Sequence, residues 1–135
     1  FEGIGGWEIP GAEVYPTTPS AHREDATCVK CHMYNFNHEF EPSLDACNTC
    51  HDNVTSFDVN GVQTSISNKL EILHEKLVDA NMIDGTTGSY IAGKFPTKYV
   101  GALYNYKIVH YDKSHGVHNP KYIEALLDNS IDVFN

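Results

Sequence analysis

Every cysteine of this 135-residue chain lies in one of two copies of the pattern Cys-x-x-Cys-His, at residues 28–32 and 47–51. Two intervening residues place both sulfurs of a copy on one side of a single turn, and the adjacent imidazole can then reach the centre of a macrocycle that the sulfurs hold. The pattern therefore predicts two covalently attached haem c groups. The predicted attachment residues are Cys28, Cys31, Cys47 and Cys50.

Two other uses of paired cysteines are weaker interpretations. A zinc site can combine Cys-x-x-Cys pairs with histidines, and a single Cys-x-x-Cys can act as a redox dithiol. Neither explains why a histidine follows directly in both copies while no cysteine is left over. In the haem interpretation, His32 and His51 are the proximal iron ligands.

The second axial ligand of each iron has to come from elsewhere in the chain. There are 8 histidines but only 2 methionines, Met33 beside the first motif and Met82 in a predicted loop. Ligation by two histidines is therefore favoured over ligation by histidine and methionine. Because a methionine ligand raises the reduction potential, two histidines imply haems of low potential.

Three histidines are candidates for the distal ligands. His118 comes just before a predicted helix, where an asparagine cap and a proline fix its direction. His38 follows the first motif and is close to Phe40, whose ring can pack on a porphyrin face. His22, which precedes the first motif, is the next choice. The other three histidines are expected at the edge of a helical core or on the surface: His74, His110 and His115.

The charge of the chain limits its partners. The formal net charge is −9, and haem propionates would add to it. Nucleic acid and anionic lipid are poor partners for so acidic a protein, whereas a redox protein with a basic patch or an extracellular electron acceptor is compatible. Acidity also keeps a secreted protein soluble, so both interpretations stay open. No apolar run reaches the length of a membrane span.

The expected location follows from the chemistry of attachment. Haem is attached to cysteines outside the cytoplasm, so the protein is expected in the periplasm or at the cell exterior. The sequence begins with Phe1 rather than methionine. A removed signal peptide explains this start, and an excised fragment is the other interpretation.

Composition divides the chain into two parts. Residues 1–21 are rich in glycine and proline and lack a periodic pattern, which predicts an extended arm that lies over a haem or reaches a neighbouring subunit. A disordered leader is the alternative. Residues 22–135 are the predicted dihaem domain, a mainly α cytochrome c fold in which haem-binding loops and short helices precede about three helices. The first 65 residues offer little material for a core, so the haem-binding part is expected to fold around its cofactors.

Three helices are predicted in the carboxy-terminal half. The first has a cap at Thr64 or Ser65 and apolar residues at helical spacing. The second starts near Pro96 and runs to about Asp112. The third begins after Asn119, with proline at its first position. The apolar stripe of the first helix consists of Ile66, Leu70, Leu73, Leu77 and Val78.

The order of these motifs resembles a known family. Cys-x-x-Cys-His-Met, Asn-His-x-Phe-x-Pro, a second Cys-x-x-Cys-His, a long helix and Gly-Val-His-Asn-Pro-x-Tyr follow one another. This succession is similar to the carboxy-terminal part of multihaem cytochromes c, the group that includes pentahaem nitrite reductases and octahaem hydroxylamine-oxidoreductase-like proteins. The matching stretches are Cys28 to Met33, Asn37 to Pro42, Cys47 to His51, and Tyr104 to Tyr122.

The resemblance implies a ligand set and a limit on function. It implies that His118 is the distal ligand of the last haem, paired with His51, and that His38 can serve an earlier haem or one in a neighbouring subunit. Catalytic members of the family have five or more haems and an open iron, whereas this chain has two motifs. The resemblance therefore implies an electron-transfer module and not the enzymatic activity of the catalytic members.

The leading functional interpretation is a dihaem electron carrier rather than an enzyme. The arm and the spare histidines also suit a subunit of a larger haem assembly or an extracellular filament built from copies of the chain. The alternative is a haem enzyme, or a fragment of one, that reduces a small nitrogen or sulfur oxyanion at an open iron. Six further histidines for two irons argue against an open coordination position.

Overall fold

Helices dominate the chain. The computed structural model describes residues 1–25 and 27–135; it is 50% helical, and no β-strand occurs in this described part, so the fold is mainly α, as the sequence predicts. No helix within it is long and apolar enough to cross a bilayer. The α-helices are α1 (Ala21–Asp25), α2 (Cys28–His32), α3 (Leu44–Cys47), α4 (Val62–Asp79), α5 (Thr97–Asp112) and α6 (Pro120–Asp132).

The hydrophobic core lies among the three long helices. Helix α6 packs against both α4 and α5, and these two also contact each other. Leu73 and Leu77 of α4 are fully buried, together with Ala102 of α5 and Leu126 and Leu127 of α6. A buried leucine side chain contributes roughly 1.5–3 kcal/mol relative to an exposed one. The carboxy-terminal half therefore has its own apolar core without any cofactor.

The predicted starts of the second and third helices are confirmed, but that of the first is wrong. Helix α4 begins at Val62, so neither of the two predicted residues caps it. Asp58 takes that role from outside the helix: its carboxylate accepts hydrogen bonds from the Thr64 hydroxyl at 2.6 Å and the Thr64 backbone N–H at 3.2 Å. These bonds lower the pKa of Asp58. They satisfy one of the free amides in the first turn.

The amino-terminal arm, residues 1–20, is ordered against its own chain. It has no regular secondary structure, yet Ile9 and Tyr15 belong to the hydrophobic core. The buried side chain of Asn105 on α5 accepts a hydrogen bond from the Trp7 N–H at 2.6 Å and donates one to the Trp7 carbonyl at 2.9 Å. The arm is therefore fixed in the structure by polar contacts between its backbone and a buried helix residue.

The segment between α1 and α4 has very little core of its own. Within its described residues, 27–61, Ala46 is the only buried hydrophobic residue. Phe36 is 91% exposed and Phe40 is 60% exposed, and both have positive φ angles, 59° and 61°. Left-handed backbone is uncommon for aromatic residues. This segment, which carries both cysteine motifs, therefore lacks the apolar contacts that hold the rest of the chain.

Candidate functional site

The first motif forms a single helical turn. Helix α2 consists of the residues from Cys28 to His32 alone, so both thiols and the imidazole lie on one short element. The His32 Nδ1 atom is 2.8 Å from the carbonyl oxygen of Phe40. Because a carbonyl only accepts hydrogen bonds, Nδ1 carries the hydrogen and Nε2 keeps its lone pair. The backbone of the following loop thus prepares Nε2 as a metal ligand.

The second motif lies at the end of α3. The Ser43 hydroxyl caps this helix by accepting a hydrogen bond from the Ala46 N–H at 3.2 Å. One turn further, the His51 N–H donates to the Cys47 carbonyl at 2.9 Å. His51 borders an open surface cavity of about 400 Å³, which is lined by Asn48, His51, Asp52, Asn53, Val54 and Thr55. The second histidine therefore faces space outside the packed core.

The two motifs lie side by side with four free thiols. Helices α2 and α3 contact each other, and all four cysteines are unpaired. Burial raises the pKa of the Cys31 thiol, and the neighbouring thiols of Cys47 and Cys50 raise it further. Burial also raises the pKa of Cys47. Free thiols in adjacent pairs are what covalent attachment of two haems requires.

Each motif histidine faces a second imidazole from a distant part of the chain. The ring centroids of His22 and His51 are 6.1 Å apart, with an angle of 64° between the ring planes. The centroids of His32 and His118 are 6.4 Å apart, with an angle of 51°. These two contacts, which we call the histidine pairs, use one motif histidine each.

The spacing within the histidine pairs fits two axial ligands of one metal ion. Bonds from histidine to a metal are about 2.0–2.1 Å long, and each ring nitrogen is about 1.1 Å from its ring centre, so two imidazoles on opposite sides of a metal have centroids about 6.3 Å apart. Both pairs lie within a few tenths of an ångström of that value. A haem iron has two axial positions, and histidine side chains can fill both of them. The residues present therefore fit two haem c groups.

The two distal histidines are also held through Nδ1. The Nδ1 atom of His22 lies 2.9 Å from the carbonyl oxygen of Val117, and that of His118 lies 2.8 Å from a carboxylate oxygen of Asp112. Both acceptors leave Nε2 as the free nitrogen. Burial alone would raise the pKa of Asp112, but hydrogen bonds from His118 and Ser114 hold it below its usual range. Three of the four paired histidines thus share one arrangement, a hydrogen bond from Nδ1 to a backbone carbonyl or a carboxylate, which is typical of metal-bound histidine.

The structure brings together four of the predicted ligands, but in pairs that differ from those that the resemblance implies. His118 lies beside His32 rather than His51, and His22 occupies the place beside His51. His38 is exposed, with its ring 6.3 Å from that of Phe40, and takes part in neither histidine pair.

Sequence reasoning missed the groups that orient the imidazoles. Asp112 precedes His118 by six residues, and the two other acceptors are backbone carbonyls of Phe40 and Val117. An aspartate close to a candidate ligand in the sequence could have predicted the acceptor for His118. The two backbone acceptors could not have been predicted, because every residue has a carbonyl.

The remaining histidines line a separate groove. This groove has a volume of about 250 Å³ and lies between α4 and the end of α5. Tyr106 stands between His74 and His110, with centroid distances of 5.7 and 5.4 Å. Burial, Lys113 and His74 lower the pKa of His110. In the part of the chain that the structure describes, no three histidine, cysteine or acidic side chains are arranged to hold a metal ion by themselves.

Comparison with known proteins adds no assignment. No protein-family model matches the chain, and neither the curated proteins nor the solved structures include a match.

Gly116 should be necessary for the loop that positions His118. Its φ angle is +89°, and a Cβ atom there would lie 2.7 Å from Cγ1 of Ile66. We expect Gly116→Ala to lower the free energy of unfolding by about 2–3 kcal/mol, because the backbone strain at positive φ and the clash of the new Cβ with Ile66 both destabilise the variant. Denaturant unfolding measures this loss.

The matched control for that prediction is Gly88→Ala. Gly88 has a similar φ of +68°, but no atom lies within 4 Å of the added Cβ. Gly88→Ala should lower the free energy of unfolding by about 1 kcal/mol, through backbone strain alone. Equal losses for the two variants would show that the contact with Ile66 does not constrain the loop.

Proposed function

We propose that this chain is a dihaem c-type cytochrome that transfers electrons, with both irons ligated by two histidines. The observation that carries the proposal is the set of histidine pairs: each contains one histidine of a Cys-x-x-Cys-His motif, at centroid distances of 6.1 and 6.4 Å. The proposed pairs are His22 with His51 and His32 with His118. His38 then stays outside this chain's own ligand sets.

The chain's own residues have three tasks in this proposal. The four cysteines hold the cofactors covalently, and the four paired imidazoles hold the irons. The acceptors at Phe40, Val117 and Asp112 fix the ring orientation and the tautomer of three of these imidazoles. When bound, haem c supplies an iron that takes up and releases one electron.

Two histidine ligands favour low reduction potentials. Methionine, the ligand that raises the potential, is absent from both proposed pairs, which consist of histidines alone. The carboxylate of Asp112 hydrogen-bonds the outer nitrogen of His118 and makes that imidazole a stronger donor, which favours the ferric state. The haem held by His32 and His118 is therefore proposed to have the lower potential of the two.

The proposed partners are redox proteins with basic surfaces or an extracellular electron acceptor. With a net charge of −9, complementary charge on the partner would speed the encounter, and the effect would weaken with added salt. Covalent haem attachment supports a periplasmic or extracellular location. Further copies of the chain are also proposed partners, since the exposed His38 is a free imidazole that another copy's iron could use.

Each motif histidine lies beside an imidazole of its own, which supports an electron carrier rather than an enzyme. An enzyme that reduces an oxyanion needs an iron position that substrate can occupy. In the proposed ligand sets, side chains of the protein fill that position at both irons. Reduction of a nitrogen or sulfur oxyanion would be favoured only if the test below finds an iron that binds an added ligand.

The test is a haem count followed by low-temperature EPR of the oxidised protein. We expect two haems per chain, two low-spin ferric signals, and no uptake of cyanide by the oxidised form or of carbon monoxide by the reduced form. If the protein purifies with zinc and no haem, the proposal that haem c is its cofactor is refuted. A high-spin signal, or uptake of an added ligand, would refute closed ligation and favour the enzyme.

A further inference from the structure

The buried side chain of Asn119 makes contacts that no role as a helix cap explains. Its Oδ1 atom accepts a hydrogen bond from the Tyr122 N–H at 3.3 Å, which is the capping contact. Its Nδ2 atom donates two further bonds, to the Phe1 carbonyl at 3.1 Å and the Thr18 carbonyl at 3.0 Å. Asn119 is only 5% exposed. Both hydrogens of its amide are therefore used to bind the arm.

These two carbonyls lie at opposite ends of the arm, so Asn119 closes the arm into a loop. The Ser20 N–H donates to the Phe1 carbonyl at 2.7 Å and completes the same junction. Gly3 approaches it closely, since a Cβ atom there would lie 2.8 Å from the Thr18 carbonyl oxygen. The start and the end of the arm thus meet at one residue of the chain, directly after His118.

The junction touches both histidine pairs. On one side, the Phe1 ring lies 5.0 Å from the ring of His118. On the other side, the Ser20 hydroxyl accepts a hydrogen bond from the His22 N–H at 3.2 Å, and the His22 ring reaches the Val117 carbonyl. His22 is therefore held at two points. Its backbone bonds to Ser20 at the end of the arm, and its ring contacts the carbonyl of Val117, the residue before His118.

We propose that Asn119 is a positioning residue that holds both distal histidines through the arm. Its two donors fix the ends of the arm, the arm places Phe1 against His118, and its last residues place His22 opposite His51. This inference rests on the proposed function, because the consequence appears at the two irons. Asn119 itself touches neither iron site.

The experiment compares two substitutions of buried asparagines in the haem-loaded full chain. Asn119→Asp keeps the oxygen that caps α6 but removes both donors and sets a carboxylate against two carbonyls. The matched control is Asn129→Asp: Asn129 is 6% exposed and its Nδ2 donates to the Glu13 carbonyl at 3.1 Å, in the middle of the arm. Cyanide uptake by the oxidised protein and the EPR spectrum are measured for each, together with thermal unfolding.

We expect Asn119→Asp to make cyanide uptake detectable and to raise the population of the open iron by about thirtyfold over that of the unsubstituted protein, the factor that follows from the loss of two neutral hydrogen bonds. Asn129→Asp, which removes one donor to the arm rather than two, should lower thermal stability less than Asn119→Asp does and leave cyanide uptake and the EPR spectrum unchanged. Asn119→Ser, which keeps a capping oxygen in a neutral side chain too short for both carbonyls, should repeat the effect if the aspartate variant does not fold.

Two results would overturn the inference. Equal cyanide uptake by the two aspartate variants would mean that Asn119 only stabilises the fold, and unchanged spectra in both Asn119 variants would mean that the arm does not position the histidines. Failure of the proposed function looks different, because the unsubstituted protein would then lack haem or lack two low-spin irons.

Discussion

Replacing His118 with alanine should open one of the two irons and leave the other closed. If both haems are attached covalently, as proposed, they stay in the protein, so we expect the haem count to stay at two per chain while one low-spin EPR signal is lost. The reduced variant should bind about one carbon monoxide per chain, because one axial position is free. His118→Met should instead keep the iron closed and raise its reduction potential by on the order of 100 mV, since axial-ligand identity moves haem potentials over a wide range.

A double substitution decides which iron His118 serves. His32 and His118 belong to one histidine pair, so His32→Ala combined with His118→Ala should leave the second iron low-spin, whether or not the first haem stays attached. If His118 instead ligates the iron at His51, as the family resemblance implies, the second iron becomes open in this variant. His38→Ala is the control, because His38 is exposed and outside both pairs; it should leave both signals unchanged.

The local elements that carry the candidate site are of the kind that a sequence can predict. Each Cys-x-x-Cys-His motif fits within five residues, and the helix after Asn119 is defined by a cap and a proline that stand next to each other. Such features depend on short-range geometry alone. For the same reason, the mainly α class and the last two helix starts could be read from periodicity and capping residues.

The pairing of the histidines could not be predicted in this way. Whether His118 meets His32 or His51 depends on how the loop after α5 returns over α4, and Gly116 against Ile66 is one of the contacts that set this path. The role of Asn119 was equally hidden: the sequence identifies it as a cap, but its donors bind carbonyls more than a hundred residues away. Long-range contacts to backbone atoms have no signature in residue type.

The geometry also links the two sites through adjacent residues. The carbonyl of Val117 orients His22, which faces His51, while the next side chain, His118, faces His32. One peptide segment thus contributes to both histidine pairs. In the proposed ligand sets, a shift of this segment would change both iron sites at once, which is why substitution of Asn119 is expected to act on ligation although Asn119 touches neither iron.

Loss of the cysteines should unfold the segment that carries both cysteine motifs and spare the long helices, if that segment folds around haem as proposed. We expect a variant with Cys28, Cys31, Cys47 and Cys50 all replaced by serine to lose amide protection by about a hundredfold or more across residues 27–60, toward the free-chain rate. Amides of α4, α5 and α6 should stay protected. Hydrogen exchange followed by mass spectrometry measures both regions in one sample.

The physical reason is the uneven distribution of buried apolar surface. In the described part of the segment between α1 and α4, Ala46 is the only buried hydrophobic residue, and a single alanine cannot offset an ordering cost of about 1–2 kcal/mol per residue. The three long helices bury their own leucines and need no cofactor. The control is Thr49→Ser, which keeps both cysteines of the second motif and a hydroxyl able to bond the Ala46 carbonyl; its exchange should match that of the unsubstituted protein. Full protection of residues 27–60 in the serine variant would mean that the segment folds without haem, and the apolar surface around Phe36 and Phe40 would then need another occupant.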